Sequence, residues 1–193
     1  MKMRIFLLTI MALVLAGCIS PRGFPAVDGI QNFDKVTFDH YYYPSGASAI
    51  IREKVSIINN VLYRGAQPDA EGIAHLKKLG VVKVINLRKP DDSWPVEKVV
   101  CEENGITYVN IPMDGLLAPS RATIMHILSE IRTSSGPVFV HCQYGCERTG
   151  TVVACCRIEF QSMSNKDALQ EAVIYGMSSM APNLKQFIRD FKP

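Results

Sequence analysis

Residues 137–150 read Pro-Val-Phe-Val-His-Cys-Gln-Tyr-Gly-Cys-Glu-Arg-Thr-Gly, an apolar run followed by a short polar loop. The run from Val138 to Val140 is typical of a buried strand, and residues 151–161 favour a helix. Cys142 therefore lies in a tight loop after a strand, and Arg148 lies at the start of the following helix. Backbone N–H groups of such a loop and of the helix N-terminus converge on one place, where they bind an anion.

The chemistry of this loop combines a nucleophile with an anion-binding group. The positive field of the loop and helix favours the thiolate form of Cys142, which is the nucleophilic form of cysteine. Arg148 offers a planar fork of donors that fits two phosphate oxygens, which a lysine cannot match. The spacing therefore indicates a phosphate site with a nucleophile at its base.

The run His141-Cys142, five residues and then Arg148-Thr149-Gly150 resembles the signature of cysteine-dependent protein phosphatases, particularly the small dual-specificity type. The resemblance implies two-step phosphoryl transfer through a phosphocysteine on Cys142, with Arg148 stabilising the transferred group. His141 would orient the loop by bonding the backbone near Cys142, or act as a structural residue only. Thr149 would stabilise the sulfur as leaving group, cap the helix, or do both. The implied phosphate-binding residues are Gln143, Tyr144, Gly145, Cys146, Glu147 and Arg148.

The rest of the chain predicts alternating strands and helices. Strands are expected at 55–58 and 61–63, joined as a hairpin, and at 81–87 and 106–111. Helices are expected at 69–79, 96–104, 121–131, 151–161, 165–175 and 182–191. This order predicts one α/β domain with a central, mostly parallel sheet flanked by helices, as in dual-specificity phosphatases. Ligands of such sheets bind at the carboxyl ends of the strands, where Cys142 and Asp114 are both placed.

Two further segments resemble bacterial and fungal dual-specificity-like phosphatases. They are the run from Tyr63 to Pro68 and the strand that ends in Asn86-Leu87-Arg88. We expect Arg64 and Arg88 to be structural, pairing with backbone or carboxylates.

A general acid must protonate the leaving oxygen of the substrate. Asp114 is the first candidate, because it lies in a loop 28 positions before Cys142 that resembles the acid loop of the family. Asp91 and Asp92 are the alternatives. The order Trp94-Pro95-Val96 differs from the Trp-Pro-Asp of tyrosine phosphatases, so we do not assign the acid there.

The substrate class is suggested by what the loop lacks. Its variable positions carry no lysine or arginine, whereas relatives that act on inositol phosphates or phosphoinositides typically have basic residues there. Glu147 would also repel a highly anionic substrate. A phosphorylated protein is the expected partner, with phosphotyrosine favoured and phosphoserine or phosphothreonine as further possibilities.

The other cysteines have several interpretations. Cys146 either forms a protective disulfide with an oxidised Cys142 or is a small buried residue. Cys101 is a second candidate partner for Cys142. Cys155 and Cys156 lie in an apolar helix and are expected in the core.

The first residues have the pattern of a targeting segment. Lys2 and Arg4 precede an apolar stretch from Ile5 to Leu15 that is too short to span a membrane comfortably. Residues 15–18, Leu-Ala-Gly-Cys, resemble the lipobox of bacterial lipoproteins, which implies cleavage before Cys18 and lipidation of that cysteine. The alternative is an ordinary signal peptide. We expect a signal peptide at 1–17, a tether and N-terminal extension at 18–54, and the phosphatase domain at 55–193.

This pattern predicts a periplasmic protein anchored by lipid to a membrane, and Ile19 after the cysteine favours the outer membrane. The net charge of +3 falls to about +1 without Lys2 and Arg4, so no nucleic-acid partner is indicated. The four histidines are scattered, so neither a metal nor another cofactor is expected. Oligomeric state is left open. The competing functions are a rhodanese-like sulfurtransferase, a non-catalytic phosphoprotein-binding lipoprotein, and a surface adhesin or scaffold.

Overall fold

A computed structural model describes residues 30–31, 33–36, 61–91 and 95–193. One five-stranded sheet has the order β1-β2-β5-β3-β4. β1 pairs antiparallel with β2, and the other three pairings are parallel. The predicted α/β architecture with a mostly parallel sheet is therefore confirmed. The strands are β1 Asp34–Val36, β2 Leu62–Gly65, β3 Lys83–Asn86, β4 Thr107–Asn110 and β5 Val138–His141.

The helices of the described residues follow the predicted order. Asp69 and Ser120 cap two of them, because their side chains accept from the backbone N–H groups of Gly72 and Thr123. The helices are α1 Ala70–Lys78, α2 Glu97–Glu103, α3 Arg121–Arg132, α4 Glu147–Gln161, α5 Asn165–Ile174 and α6 Pro182–Asp190.

The helices cover both faces of the sheet, and alternate strand residues separate the two cores. Val84 and Phe139 pack in a cluster with side chains of α1 and α2. Their neighbours Ile85 and Val140 pack in the other cluster, with side chains of α3 to α6. Successive side chains of a strand point to opposite faces, so a strand covered on both sides is apolar throughout. This explains why residues 138–140, which precede His141 and Cys142, are all hydrophobic.

One helix begins earlier than the sequence predicted. α4 starts at Glu147, not at residue 151, so Arg148 and Thr149 lie in its first turn. The N–H of Gly150 donates to the carbonyl of Cys146 at 2.8 Å, which closes that turn. The prediction of a later start was wrong because threonine and glycine have low helix propensity, which the surrounding packing overrides here.

The first described residues complete one edge of the sheet. Ile30 is fully buried, and Phe33 stacks on Tyr63 with ring centroids 5.5 Å apart. β1 and both of these contacts come from the segment predicted as tether and extension. Cys18 and the expected strand at 55–58 lie outside the described residues. Within the described residues, β2 has β1 as its antiparallel neighbour.

The strand register places the functional loops at one edge of the sheet. Gly65, His141 and Asn86 are in register across β2, β5 and β3, and Asn110 continues the row on β4. The loops that carry Cys142 and Asp114 therefore leave the sheet on the same side. In the described ranges, none of the helices has the length and apolar character needed to cross a bilayer.

Candidate active site

Cys142 follows β5 directly and lies at the base of an open cavity of about 260 Å³. Its side chain is only 2% exposed. Arg148, from the first turn of α4, lines the same cavity and is 8% exposed. Glu147 and Arg148, the first two residues of α4, line the cavity, so the positive end of this helix borders it. The remaining lining residues are Gly115, Leu116, Tyr144, Glu147, Ser178, Met180 and Ala181.

The loop between Cys142 and Arg148 turns at Gly145, for which two features require glycine. Its φ is +72°, a region that other residues rarely adopt. A Cβ atom there would lie 2.6 Å from the carbonyl carbon of Gly65 and 2.8 Å from the nitrogen of Ala66. The signature loop is therefore packed directly against the backbone that leaves β2.

Arg64 of β2 fixes this turn from below. Its Nη2 donates to the carbonyl of Gly145 at 2.7 Å, and its guanidinium lies 4.0 Å from the centre of the Tyr175 ring. The Tyr175 hydroxyl in turn hydrogen-bonds to Asp34 of β1. Burial lowers the pKa of Arg64, although the nearby Tyr175 opposes that shift. Arg64 is thus a buried cation that supports the loop, in agreement with a structural role.

The loops after β2 and β3 also contact the signature loop. The N–H of Gln67 donates to the carbonyl of Gln143 at 3.2 Å, and Arg88 Nη1 donates to the Gln67 side chain at 3.0 Å. The N–H of Leu87 donates to the carbonyl of His141 at 2.9 Å. Three neighbouring strands therefore position the loop before any ligand is present.

His141 is completely buried below Cys142. Its Nδ1 lies 3.1 Å from the Cys142 carbonyl oxygen, and its Nε2 lies 2.7 Å from Oε1 of Glu97 on α2. The first contact is of the kind the sequence predicted for His141. The second was not anticipated.

Asp114 lies on a loop that borders the cavity through Gly115 and Leu116. Its Oδ2 accepts from Lys89 Nζ at 2.8 Å, and its Oδ1 accepts from the N–H groups of Leu116 and Leu117. The Lys89 hydrogen bond, followed by the two backbone donors, holds the pKa of Asp114 well below its usual range. Asp114 is therefore a carboxylate in this conformation.

Residues 25–190 match the model of a protein family described as "DSP-PTPase phosphatase fused to NAD+ Kinase". The chain belongs to this family. The dual specificity protein phosphatase TpbA of Pseudomonas aeruginosa is 32% identical over 113 residues, which cover 57% of this chain and 49% of TpbA. The phosphatidylglycerophosphate phosphatase PTPMT2 of Arabidopsis thaliana is 31% identical over 134 residues, covering 64% of this chain and 58% of PTPMT2. The chain thus spans about half the length of the curated relatives it matches.

A crystal structure of a TpbA variant in complex with phosphotyrosine has the same fold. It superposes with a TM-score of 0.58 and 26% sequence identity, over 67% of this chain and 78% of that one. The resemblance to cysteine-dependent, dual-specificity-like phosphatases that the signature loop indicated is confirmed by the family match.

The other residues that the sequence predicted for the site differ in burial and in their contacts. The Thr149 hydroxyl is buried and has no hydrogen-bond partner among the described residues, so its place beside the sulfur remains a prediction. Glu147 accepts from the N–H of Ser178 at 3.3 Å across the cavity. Asp91 is exposed, and Asp92 lies outside the described residues.

The cysteines separate into different environments. Cys146 is a buried thiol in the signature loop, and its Sγ donates to the Tyr144 carbonyl at 3.3 Å. Cys101 packs in the cluster on the opposite face of the sheet from Cys142, and burial raises the pKa of its thiol to about 12. Cys155 and Cys156 are fully buried in α4, as predicted. A disulfide between Cys142 and Cys146 stays a prediction.

Proposed function

We propose that this chain hydrolyses phosphotyrosine in proteins through a phosphocysteine intermediate. The observation that carries the proposal is the convergence of Cys142, Arg148 and the N-terminus of α4 on one cavity. This arrangement binds a phosphoryl group and places a nucleophile behind it. Membership of the family supports the chemistry, and the phosphotyrosine complex of the TpbA variant supports the substrate.

In the first step, the Cys142 thiolate attacks phosphorus while the bond from phosphorus to the tyrosine oxygen breaks. Arg148 and the loop N–H groups stabilise the charge on the equatorial oxygens, and Arg148 already lines the cavity. Asp114, which reacts in its protonated form once Lys89 has moved away, gives its proton to the leaving phenolate. The products of this step are a dephosphorylated tyrosine in the substrate protein and a phosphorylated Cys142.

In the second step, water attacks phosphorus and the sulfur–phosphorus bond breaks. Asp114, now a carboxylate, takes the proton from the attacking water. The thiolate of Cys142 is the leaving group, and a hydrogen bond from Thr149 would stabilise it. Inorganic phosphate leaves, and the enzyme returns to its starting state.

The rim of the cavity favours an aromatic phosphoester. Leu116 and Met180 are 59% and 68% exposed, and Tyr144 is 47% exposed, so large apolar surfaces surround the opening. Cys142 lies at the buried base of this cavity. A phosphotyrosine ring is rigid, bridges the rim and the base, and buries its faces against apolar side chains. The polar and short stem of phosphoserine gains less from such a rim.

Phosphate release by the full chain under reducing conditions, without added metal, tests the proposal. The substrates are a phosphotyrosine peptide, the matching phosphoserine peptide and phosphatidylglycerophosphate in detergent micelles. We expect kcat/KM to be at least about tenfold higher for phosphotyrosine, a preference of about 1.4 kcal/mol. If the lipid is hydrolysed faster than both peptides, the proposed protein substrate is wrong. If the chain transfers sulfur from thiosulfate and releases no phosphate, the proposed phosphatase activity is wrong.

We further propose that Cys18 anchors the chain to a membrane on the periplasmic side of the cell envelope, with the outer membrane as the favoured site. The support is the basic start, the short apolar stretch and the Leu-Ala-Gly-Cys sequence at residues 15–18. We expect radiolabelled palmitate to be incorporated in bacterial cells and Cys18→Ala to abolish the label. A cleaved, soluble and unlabelled chain would support an ordinary signal peptide instead.

A further inference from the structure

Glu97 is a completely buried carboxylate directly below the signature loop. Its Oε1 lies 2.7 Å from His141 Nε2, and its Oε2 accepts from Asn86 Nδ2 at 2.7 Å. The Tyr108 hydroxyl also hydrogen-bonds to it. A buried carboxylate is costly unless it is paired, and donors around it favour its ionised form. The chain provides such donors from β3, β4 and β5.

The surroundings of Glu97 are themselves fixed. Asn86 uses its second amide proton on the Tyr108 oxygen at 2.9 Å, and its side-chain oxygen accepts from the N–H of Arg88 at 2.7 Å. Burial, followed by the negative charge of Glu97, raises the pKa of Tyr108 to about 12, so its hydroxyl stays a donor. The carboxylate is therefore held from several sides at once.

His141 lies between two groups that can only accept. Nδ1 is 3.1 Å from the Cys142 carbonyl oxygen, and Nε2 is 2.7 Å from the Glu97 carboxylate. A neutral imidazole has one donor nitrogen and one acceptor nitrogen, whereas an imidazolium has two donors. The Nδ1 contact is a hydrogen bond, whereas the Nε2 contact is a close charge contact whose angle does not make a hydrogen bond. Both contacts are favourable together only when His141 carries both protons.

We propose that Glu97 is a positioning residue for the reaction at Cys142, because its carboxylate holds His141 as an imidazolium that is bonded to the Cys142 carbonyl. The hydrogen bond fixes the backbone of the nucleophile, and the positive charge, one residue away, favours the thiolate. The inference rests on the proposed function for its catalytic meaning. The buried pair itself does not depend on which phosphoester is the substrate.

Other charged and titratable groups face this part of the molecule. Arg64 and Arg148 contribute guanidinium groups near the signature loop from β2 and α4. Burial raises the pKa of Cys101, and the negative charge of Glu97 raises it further, so this thiol stays neutral. A change in pH dependence on removing the Glu97 charge is therefore assigned to His141. The titratable groups that interact with Glu97 are Cys101 and Tyr108, and Arg64 interacts with Cys142 and Cys146 in the signature loop.

Alkylation of Cys142 by iodoacetamide tests the proposal without any phosphatase assay, since only the thiolate reacts. The rate is measured between pH 5 and 9 on the full chain, with the modified cysteine located by tandem mass spectrometry. In Glu97→Gln the loss of the negative charge should raise the midpoint of the alkylation curve by about one pH unit, so that the rate falls by about tenfold at pH values below both midpoints. At pH 9 the two rates should agree within about twofold.

Two variants distinguish charge from packing. Glu97→Asp keeps the carboxylate and should return the midpoint of the alkylation curve toward that of the wild type. Glu130→Gln removes another carboxylate, one that pairs with Lys83 at 2.7 Å at the opposite end of β3, and should leave the curve unchanged. A Glu97→Gln curve that overlays the wild type, or one that is lowered equally at all pH values, would overturn the proposal.

A measurement on the wild-type chain covers the case in which Glu97→Gln does not fold. Nitrogen NMR shifts of the His141 ring are recorded at pH 7.5, where free imidazole is mostly neutral. Both ring nitrogens are expected to have the chemical shifts of protonated nitrogens, as in an imidazolium. A neutral ring with one unprotonated nitrogen would contradict the assignment, whatever the phosphatase assays show.

Discussion

Cys142→Ser is expected to lower hydrolysis of a phosphotyrosine peptide by roughly 10⁴-fold or more, because a serine hydroxyl is a far weaker nucleophile than a thiolate. The replacement is close in size, and the side chain is only 2% exposed, so the loop should keep its shape. Peptide affinity should therefore change by no more than a few-fold. Initial rates of phosphate release and fluorescence anisotropy of a labelled peptide measure the two effects separately.

The matched control is another buried cysteine of the same region. Cys156 lies on α4, is fully buried, and has a thiol whose pKa is raised by burial, so it is not a nucleophile. Cys156→Ala should keep the rate within about twofold in the folded fraction. Residual activity of more than a few per cent in Cys142→Ser would place the nucleophile elsewhere. Loss of peptide binding together with rate would contradict a preformed phosphate site.

Much of the fold follows from local patterns of the chain. The wholly apolar run of β5 predicts a strand covered on both faces, and Asp69 and Ser120 mark helix starts that the structure keeps. The start of α4 was placed too late, since its first turn is formed from residues with low helix propensity. That turn is determined by the loop it closes, which is a tertiary effect.

The site was predictable where its residues are close in sequence. The signature loop holds Cys142 and Arg148 within seven positions, so their spacing alone suggests a shared ligand. Glu97 gave no such signal, because an acidic residue in the first turn of a helix is common. Only the packing of α2 against the sheet, where it contacts β4, brings Glu97 to His141. The contact of Arg64 with Gly145 likewise joins residues that are far apart in the chain.

The second large effect is expected at Asp114. A general acid contributes about 10²–10⁴-fold, so Asp114→Asn should slow hydrolysis of the phosphotyrosine peptide by that factor. A phosphoester with a good leaving group, such as p-nitrophenyl phosphate, needs little protonation and should be affected much less. Rates for a series of aryl phosphates should therefore fall more steeply with leaving-group basicity in the variant than in the wild type.

Asp91→Asn and Asp92→Asn are the comparison variants for this experiment. Both should leave the rates for phosphotyrosine peptide and aryl phosphates within about twofold of the wild type. If Asp114→Asn stays fast on basic leaving groups while one of these two becomes slow, the general acid lies on the loop that follows β3.

The contact between Asp114 and Lys89 adds a pH dependence with a defined sign. A general acid reacts in its protonated form, yet the Lys89 hydrogen bond is the first cause that keeps the pKa of Asp114 low. The two side chains are 34% and 49% exposed, so the ion pair is weak and can open when a phosphate dianion enters the cavity.

Lys89→Gln is expected to raise the pKa of Asp114, and the protonated form of Asp114 then persists to higher pH. The alkaline limb of kcat/KM should move to higher pH in Lys89→Gln, and this shift should disappear in the double variant with Asp114→Asn. An unchanged limb in Lys89→Gln would mean that Lys89 has already left Asp114 when substrate binds.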